Sequence, residues 1–348
     1  MTSLKPPLDL TKSRVLVTGA TGQIGRHLVQ ALIRRGASVA VLTRSPSRAH
    51  SLFSENVEIR RGDLCDAGGL ERAVNNVDVV FHLASFSSSR SRGSIYEDPR
   101  HWDVTVKGTD NLLKAATGLG CRRFVYFSSI KAMGEDVGGE GHPATESLQA
   151  APETLYGKAK LAAEKAIINA VDQTQGQATI LRLPMVYGLV GHGNLEKMLD
   201  AVARKRFPPF PKHLNRRSAI HALDAVDAAL LSVVRGGAGA RIYLVTDGNG
   251  YSTRWIYEQI RVALGREIPG WTLPLWCWRS AARLGTVAER LSGTTMPVSD
   301  DAIQKLFGNA WFSPDRIRAE LGYRPSHELG AEIQRMAARY LRGSGRMS

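Results

Sequence analysis

Val15-Leu16-Val17-Thr18-Gly19-Ala20-Thr21-Gly22-Gln23-Ile24-Gly25 is the stretch on which the reading of this chain turns. Three of its first four residues are β-branched and favour a strand. Gly19 and Gly22 favour a turn, and the pattern from Gly22 to Arg35 is helical. Glycines at these positions let the backbone approach a pyrophosphate and let helix and sheet pack closely, while the helix N-terminus offers unpaired N–H groups and positive dipole. A glycine pattern alone is weak. In this strand–turn–helix context it reads as a dinucleotide cradle built by Gly19, Thr21, Gly22, Gln23, Ile24 and Gly25.

The alternation continues outward. Val39–Thr43, Val57–Arg60, Val77–Leu83, Phe124–Ser128 and Ala178–Leu183 read as strands, with helical patterns near Leu70–Val74, Trp102–Thr117 and Leu155–Val171 between them. The strands are apolar without period-two alternation, so both faces are buried. That predicts an α/β fold, a doubly wound parallel Rossmann sheet. Beyond Leu189 the pattern shifts to helices at Asn194–Arg204 and Ala222–Val234, a strand at Ile242–Val245, and mainly helix from Ser252. We expect a dinucleotide-binding domain of residues 1–185, also receiving about 216–246. A smaller, mainly helical substrate lobe is expected from residues 186–215 and 247–348. Glu135–Glu153, rich in Gly, Pro and acidic residues, follows the C-terminal end of a strand, where open α/β sheets bind ligands; it reads as a lid.

Composition excludes other classes. The 348 residues carry 46 Lys+Arg against 32 Asp+Glu, a net charge of +14, with 43% hydrophobic residues, the balance of a globular enzyme rather than a disordered or collagenous chain. Cys65, Cys121 and Cys277 are odd in number and far apart, which predicts no disulfide scaffold, no metal site and a reducing, cytoplasmic setting. Met1–Pro7 lacks the apolar core of a secretory leader, and no apolar run reaches the roughly 18 residues that a membrane helix needs. Arg204, Lys205, Arg206, Lys212, Arg216 and Arg217 crowd one short stretch. No nucleic-acid-binding motif accompanies them, so no nucleic acid partner is expected. A diphosphate-bearing substrate or an anionic membrane surface suits the charge, the latter without a supporting motif, and a solvated basic surface accounts for most of it.

The second strand ends in Thr43-Arg44-Ser45-Pro46-Ser47-Arg48. A carboxylate there would accept from a ribose 2′-OH; a guanidinium suits a 2′-phosphate. Arg44 therefore favours NADP(H), while stacking of Arg44 on an adenine would leave NAD usable. Asp63 is placed to meet an adenine amino group or to cap a helix. Tyr156 and Lys160 stand four apart on a helix and share a face. An ammonium beside a phenol lowers the phenol's pKa, so that it can exchange a proton with a carbinol or carbonyl oxygen. Ser129, at a strand end, completes the set.

Together these residues resemble an extended short-chain dehydrogenase/reductase of the NAD-dependent epimerase/dehydratase type. The resemblance covers nearly the whole chain: Gly19, Gly22 and Gly25 match the glycine motif, Asp63-Leu64 the Asp-Leu after the third strand, Phe81-His82-Leu83-Ala84 the cofactor-lining strand end, and Leu181-Arg182 with Tyr187-Gly188 a later strand end. It implies catalysis by Ser129, Tyr156 and Lys160, with Leu83 and Ala84 lining the cofactor, Lys160 on the nicotinamide ribose, and a homodimer formed through Trp102–Thr117 and Leu155–Val171.

The resemblance points to the branch of nucleotide-sugar 4-epimerases and 4-ketoreductases. Asn194-Leu195 matches a helix-opening pair of its members, Lys131 lies in the Ile130–Glu135 segment after Ser129, and Arg217, followed by His221 and Asp224 at the branch's spacing, would pair with a diphosphate. Departures accompany these matches. Ile130-Lys131 stands where dehydratases place Asp-Glu, which argues against water elimination. Thr105 replaces the usual helix Asn, Leu189 a common Pro, and Leu306-Phe307-Gly308-Asn309 lies near where many epimerases carry Arg-Pro-Gly-Asp. The expected function is hydride transfer at a nucleotide-linked sugar. The alternative is an NADP-dependent dehydrogenase or reductase of an apolar alcohol or ketone, of the hydroxysteroid or dihydroflavonol-reductase type, with Trp271–Trp278 lining its pocket, touching a membrane or starting a core helix.

Overall fold

The computed structural model describes residues 9–87, 94–139, 141–189, 193–292 and 300–343. Met1–Pro7 lies outside them, as does residue 140 of the expected lid. Strand β1 (Arg14–Thr18) leads through α1 (Gln23–Arg34) to β2 (Ser38–Thr43), and the chain continues through α2 (Pro46–His50), β3 (Val57–Arg61), α3 (Ala67–Val74), β4 (Val79–His82), α4 (Gly108–Gly118), β5 (Arg123–Ser129), α5 (Leu155–Thr174) and β6 (Gln177–Leu183). After β7 (Met185–Tyr187), α6 (Asn194–Ala203), β8 (Ala219–His221) and α7 (Ala222–Arg235), strand β9 (Gly239–Leu244) joins the outer side of β6. The result is a seven-stranded parallel sheet in the order β3-β2-β1-β4-β5-β6-β9, the doubly wound topology expected.

Strand β1 shows why its sequence lacks alternation. Val15 and Val17 enter one core with Leu28 and Leu32 of α1 and Val226 of α7, while Leu16 enters the other with Leu112 of α4 and Ile167 of α5. Both faces of the sheet are covered, so Val15, Leu16 and Val17 are apolar at successive positions. Strand order reverses between β1 and β4. Their carboxyl ends meet at Thr18 and His82, and the β5–β6 register continues that edge through Ser129 and Leu183.

The remaining elements, α8 (Thr253–Ala263), α9 (Leu275–Ser292), α10 (Asp300–Phe307), α11 (Asp315–Leu321) and α12 (Leu329–Gly343), are helical as expected. Tyr187, Phe210, Tyr257, Trp278 and Phe307 form a separate aromatic core there. The β7–β8 pair, three residues per strand, is too short to show a periodicity and was not foreseen. The expected helix Trp102–Thr117 begins as a π-helical stretch, Trp102–Lys107, in which the Gly108 N–H reaches back five residues to the Asp103 carbonyl.

The segment expected as a lid is paired through its backbone with a distant part of the chain. Val137 and Ala144 pair with residues 309–313 through Val137 N to Asn309 O (3.2 Å), Trp311 N to Val137 O (3.0 Å) and Ala144 N to Trp311 O (2.9 Å). Gly138, at φ +79°, lies where a Cβ would meet the Trp311 carbonyl at 2.1 Å. Backbone pairing ties this segment to residues 309–313.

Candidate active site

The carboxyl edge of the sheet opens into a crevice of about 320 Å³ lined by Gly19, Gly22, Gln23, Ile24, Gly25, Leu83, Ser128, Ser129, Tyr156 and Lys160, among others. The glycine turn and the Ser–Tyr–Lys set, more than a hundred residues apart in sequence, therefore face one space. At Gly19, φ is +69° and an added Cβ would stand 2.7 Å from the Ala84 nitrogen; at Gly25 it would stand 2.3 Å from the Gly19 carbonyl. Gly22 caps α1 without a side chain, which leaves the helix's first N–H groups facing the crevice. This backbone cradle fits a dinucleotide pyrophosphate.

His82 fixes the wall beneath it. Ala84 N donates to Thr18 Oγ1 (3.2 Å), Thr18 Oγ1 donates to His82 Nδ1 (2.7 Å), His82 Nε2 donates to Thr109 Oγ1 (2.9 Å), and Thr109 donates to the Thr105 carbonyl. The chain closes with His82 neutral, and burial pushes its pKa down to about 3. Thr105, which stands where Asn is usual, accepts from Phe86 N through its hydroxyl at 3.3 Å.

Thr154 caps α5 by accepting from Gly157 N, and that helix presents Tyr156, Lys160 and Glu164 on one stripe. Ser129 Oγ accepts from Lys131 N at 3.2 Å and hydrogen-bonds the Tyr156 phenol. Burial raises the Tyr156 pKa, and the Ser129 bond partly offsets it. The expected depression by Lys160 is not what the structure shows. Its Nζ donates to the Phe127 carbonyl at 2.9 Å and lies 4.7 Å from the centre of the Tyr126 ring, because a buried ammonium takes whatever acceptor its surroundings offer. Burial lowers the Lys160 pKa to about 8, against the opposing pull of Glu164.

Glu164 and Arg182 were missed as a pair. Glu164, 1% exposed, accepts from Ser128 Oγ at 2.5 Å and from Arg182 at 2.6 Å, a buried clamp between α5 and β6 just behind the lysine. The spacing Tyr156–Lys160–Glu164 is the signal that would have found it. The rings of Tyr96 and His101, also missed, pack edge-on against Tyr156 with centroids 5.4 and 5.1 Å away.

The other expected residues lie off the crevice lining. Thr21 is half-buried and Arg44 exposed, and Leu64 is buried against Gly108. Asp63 Oδ1 accepts from Cys65 N at 3.0 Å; Asp63 and Arg44 act oppositely on the Cys65 thiol, whose pKa is raised chiefly by burial. Lys131 is paired with the buried Glu135 and lies 6.0 Å from the centre of the Tyr96 ring. Asn194 is exposed at the start of α6, whereas the Leu195 side chain sits in the aromatic core of the C-terminal lobe. Arg217 donates from one N–H to the Gly308 carbonyl at 2.8 Å; burial lowers its pKa, with Tyr96 and Asp136 pulling the other way. The Leu306–Asn309 segment thus clasps the basic stretch, with Asn215 and Arg216 bonded to it as well.

The pattern of the NAD dependent epimerase/dehydratase family matches residues 15–245. The chain belongs to this family. It is 26% identical over 341 residues to a UDP-glucose 4-epimerase of Vibrio cholerae, covering 95% of this chain and 97% of that protein. It is 29% identical over 339 residues to a 3 beta-hydroxysteroid dehydrogenase/Delta 5-->4-isomerase of Mycobacterium tuberculosis, covering 90% and 86%. Among solved structures, the Thermus thermophilus UDP-glucose 4-epimerase complex with NAD superimposes with a TM-score of 0.72 at 25% identity, covering 95% of this chain and 99% of that one. The family member described here is accordingly an NAD-dependent enzyme of the extended short-chain dehydrogenase/reductase type.

Proposed function

We propose that this enzyme transfers hydride at a carbinol or carbonyl carbon of a nucleotide-linked sugar, as an epimerase or a ketoreductase, with NADP(H) favoured over NAD. The observation that carries the reading is the convergence of Ser129, Tyr156 and Lys160 on the crevice formed by the glycine turn. When bound, the nicotinamide accepts hydride from the substrate carbon or returns it.

Tyr156 exchanges the accompanying proton with the substrate oxygen, and Ser129 donates to that oxygen as charge develops on it. Because burial keeps the phenol protonated near neutral pH, Tyr156 rests in the form that donates to a carbonyl. Lys160, with a pKa near 8, stays charged at neutral pH and would hold a ribose hydroxyl of the bound dinucleotide. The Arg217 guanidinium uses one of its five N–H donors on Gly308, and the rest suit a diphosphate. Arg44 at the β2 end supports NADP(H). The protein works as a homodimer through Trp102–Thr117 and Leu155–Val171, which sedimentation at micromolar concentration tests.

The hydroxysteroid-type alternative rests on the mycobacterial relative. The Trp271–Trp278 segment does not support it: Trp278 is in the lobe's core, Trp271 and Trp276 face solvent, and none of the three lines the crevice.

The test is a screen of sugar nucleotides and of apolar ketones with NADPH and NADH, reading nicotinamide absorbance and product together. A sugar nucleotide converted by the wild type and about 10²–10⁴-fold more slowly by Tyr156→Phe, with dinucleotide affinity retained, is the expected result. Turnover of apolar ketones alone sinks the nucleotide-sugar reading, and undiminished turnover by Tyr156→Phe sinks the mechanism.

A further inference from the structure

Helix α9 packs on the C-terminal lobe through the face that carries Trp278 and Ala282. Trp278, 4% exposed, packs on Phe207, Phe210 and Phe307, and Ala282 is fully buried one turn on. The opposite face should be polar in a solvated helix. Instead Trp276, Leu284 and Val287, which fall within about 80° of arc, are 69%, 73% and 54% exposed. Trp271, just before the helix, is exposed too. Six of the ten large apolar side chains exposed among the described residues lie between Val262 and Val287, so the exposure is concentrated rather than scattered.

Charge surrounds this face. Arg279 and Arg283 are exposed along its flank. The segment before α9 is stitched to the basic stretch: Leu273 N donates to Pro209 O at 3.0 Å, and Arg266 donates to the Val202 and Ala203 carbonyls. Arg204, Lys205, Arg206 and Lys212 of that stretch are all exposed. No helix among the described residues is long and apolar enough to cross a membrane. A helix with tryptophan and aliphatic side chains on its outer face and arginines along the flank suits burial at the headgroup level of a bilayer, where anionic lipids attract the basic rim.

We propose that this face of the C-terminal lobe docks the enzyme peripherally on an anionic lipid bilayer. Trp276, Leu284 and Val287 enter the interface, and Arg279, Arg283 and the Arg204–Lys212 stretch meet the headgroups. The proposal is independent of the substrate reading, because none of these residues lines the crevice. The net charge of +14 supplies complementarity to the lipid that a second copy of the same chain lacks.

The experiment is co-sedimentation of the full-length protein with vesicles of phosphatidylcholine alone and of phosphatidylcholine with phosphatidylglycerol, at low and high salt, with tryptophan emission recorded in parallel. Expected are binding to the anionic vesicles, little to neutral ones, weakening by salt and a blue shift on binding. Trp276→Ser with Leu284→Ser should reduce the partition coefficient about tenfold or more, and so should Arg279→Glu with Arg283→Glu. The variants' thermal midpoints and dinucleotide affinity should match wild type. Failure to bind anionic vesicles at low salt overturns the proposal, as does binding that these substitutions leave unchanged. A dimer that Leu284→Ser dissolves, with no vesicle binding, assigns the face to a second copy and overturns it equally.

Discussion

Two regions around the crevice are built by different physics. On the β1–α1 side the working surface is backbone: Gly19 and Gly25 leave no room for a Cβ, and the first N–H groups of α1 face the cavity. Beyond the crevice lining the contacts are made by long side chains, Lys131 with the buried Glu135 and Arg217 on the Gly308 carbonyl. A backbone cradle recognises what all dinucleotides share; movable charged side chains can be re-paired for different substrates. Between them lies a third construction, the buried Glu164–Arg182 clamp that supports Lys160.

The largest expected effect comes from breaking that clamp. Glu164→Ala leaves the Arg182 guanidinium buried without its carboxylate and Ser128 without its acceptor, and should destabilise the fold by about 3–5 kcal/mol, read from the urea midpoint at constant slope. Replacing both partners, Glu164→Leu with Arg182→Met, should restore much of the loss. Without the carboxylate, the Lys160 pKa falls further below about 8, so the alkaline limb of a pH–rate profile moves to lower pH. A loss no larger than that of a solvent-exposed ion pair would show that the clamp is not the buried unit described here and would erase the contrast.

Gly25→Ala tests the backbone side. Its Cβ would press on the Gly19 carbonyl at 2.3 Å and on the Ala20 Cα at 2.7 Å. We expect a stability loss of about 1–3 kcal/mol together with weakened dinucleotide binding by calorimetry. Unchanged binding would show that the turn tolerates displacement and is no rigid cradle.

His82 tests the same side by pH. Its folded-state pKa is about 3 and its unfolded value 6.5. Between those limits the unfolded chain binds a proton that the folded chain refuses, so stability falls as pH is lowered from 6.5 toward 3, by at most about 1.4 kcal/mol per pH unit. Urea midpoints at pH 7, 6 and 5 should show this slope, and His82→Asn should flatten it. An equal slope in the variant would move the effect to other buried groups such as His221, lowered to about 4 by burial.

What the sequence disclosed follows the same divide. Backbone demands leave few residue choices, so Gly19, Gly22 and Gly25 were legible as a cradle, and two-faced burial made the parallel sheet legible from strands such as Val79–His82. Side-chain pairing across the fold left weaker traces. The Tyr156–Lys160–Glu164 spacing puts Glu164 on the lysine's stripe, but nothing local announces that Arg182 lies behind it. The pairing of the Glu135–Glu153 loop was not legible because its partners, residues 309–313, lie over 150 positions away. Lys160 was misjudged in one respect only. Spacing placed it beside the phenol, but in the free enzyme its ammonium donates a hydrogen bond to the nearby Phe127 carbonyl.

Arg217 is where the comparison can be sharpened most finely. If it binds a diphosphate, Arg217→Lys keeps the charge and loses the planar fork, so the KM for the sugar nucleotide should rise about tenfold while kcat and dinucleotide affinity change little. If it serves chiefly to clasp Gly308, the same substitution should lower the thermal midpoint and loosen the Leu306–Asn309 segment, with KM and kcat changing together. Amide hydrogen exchange at Ala310, whose N–H bonds the Arg216 carbonyl at 2.8 Å, reports the second outcome directly. A rise in KM with unaltered kcat and unaltered protection at Ala310 assigns the guanidinium to substrate; loss of protection with KM and kcat changing together assigns it to the clasp on Gly308.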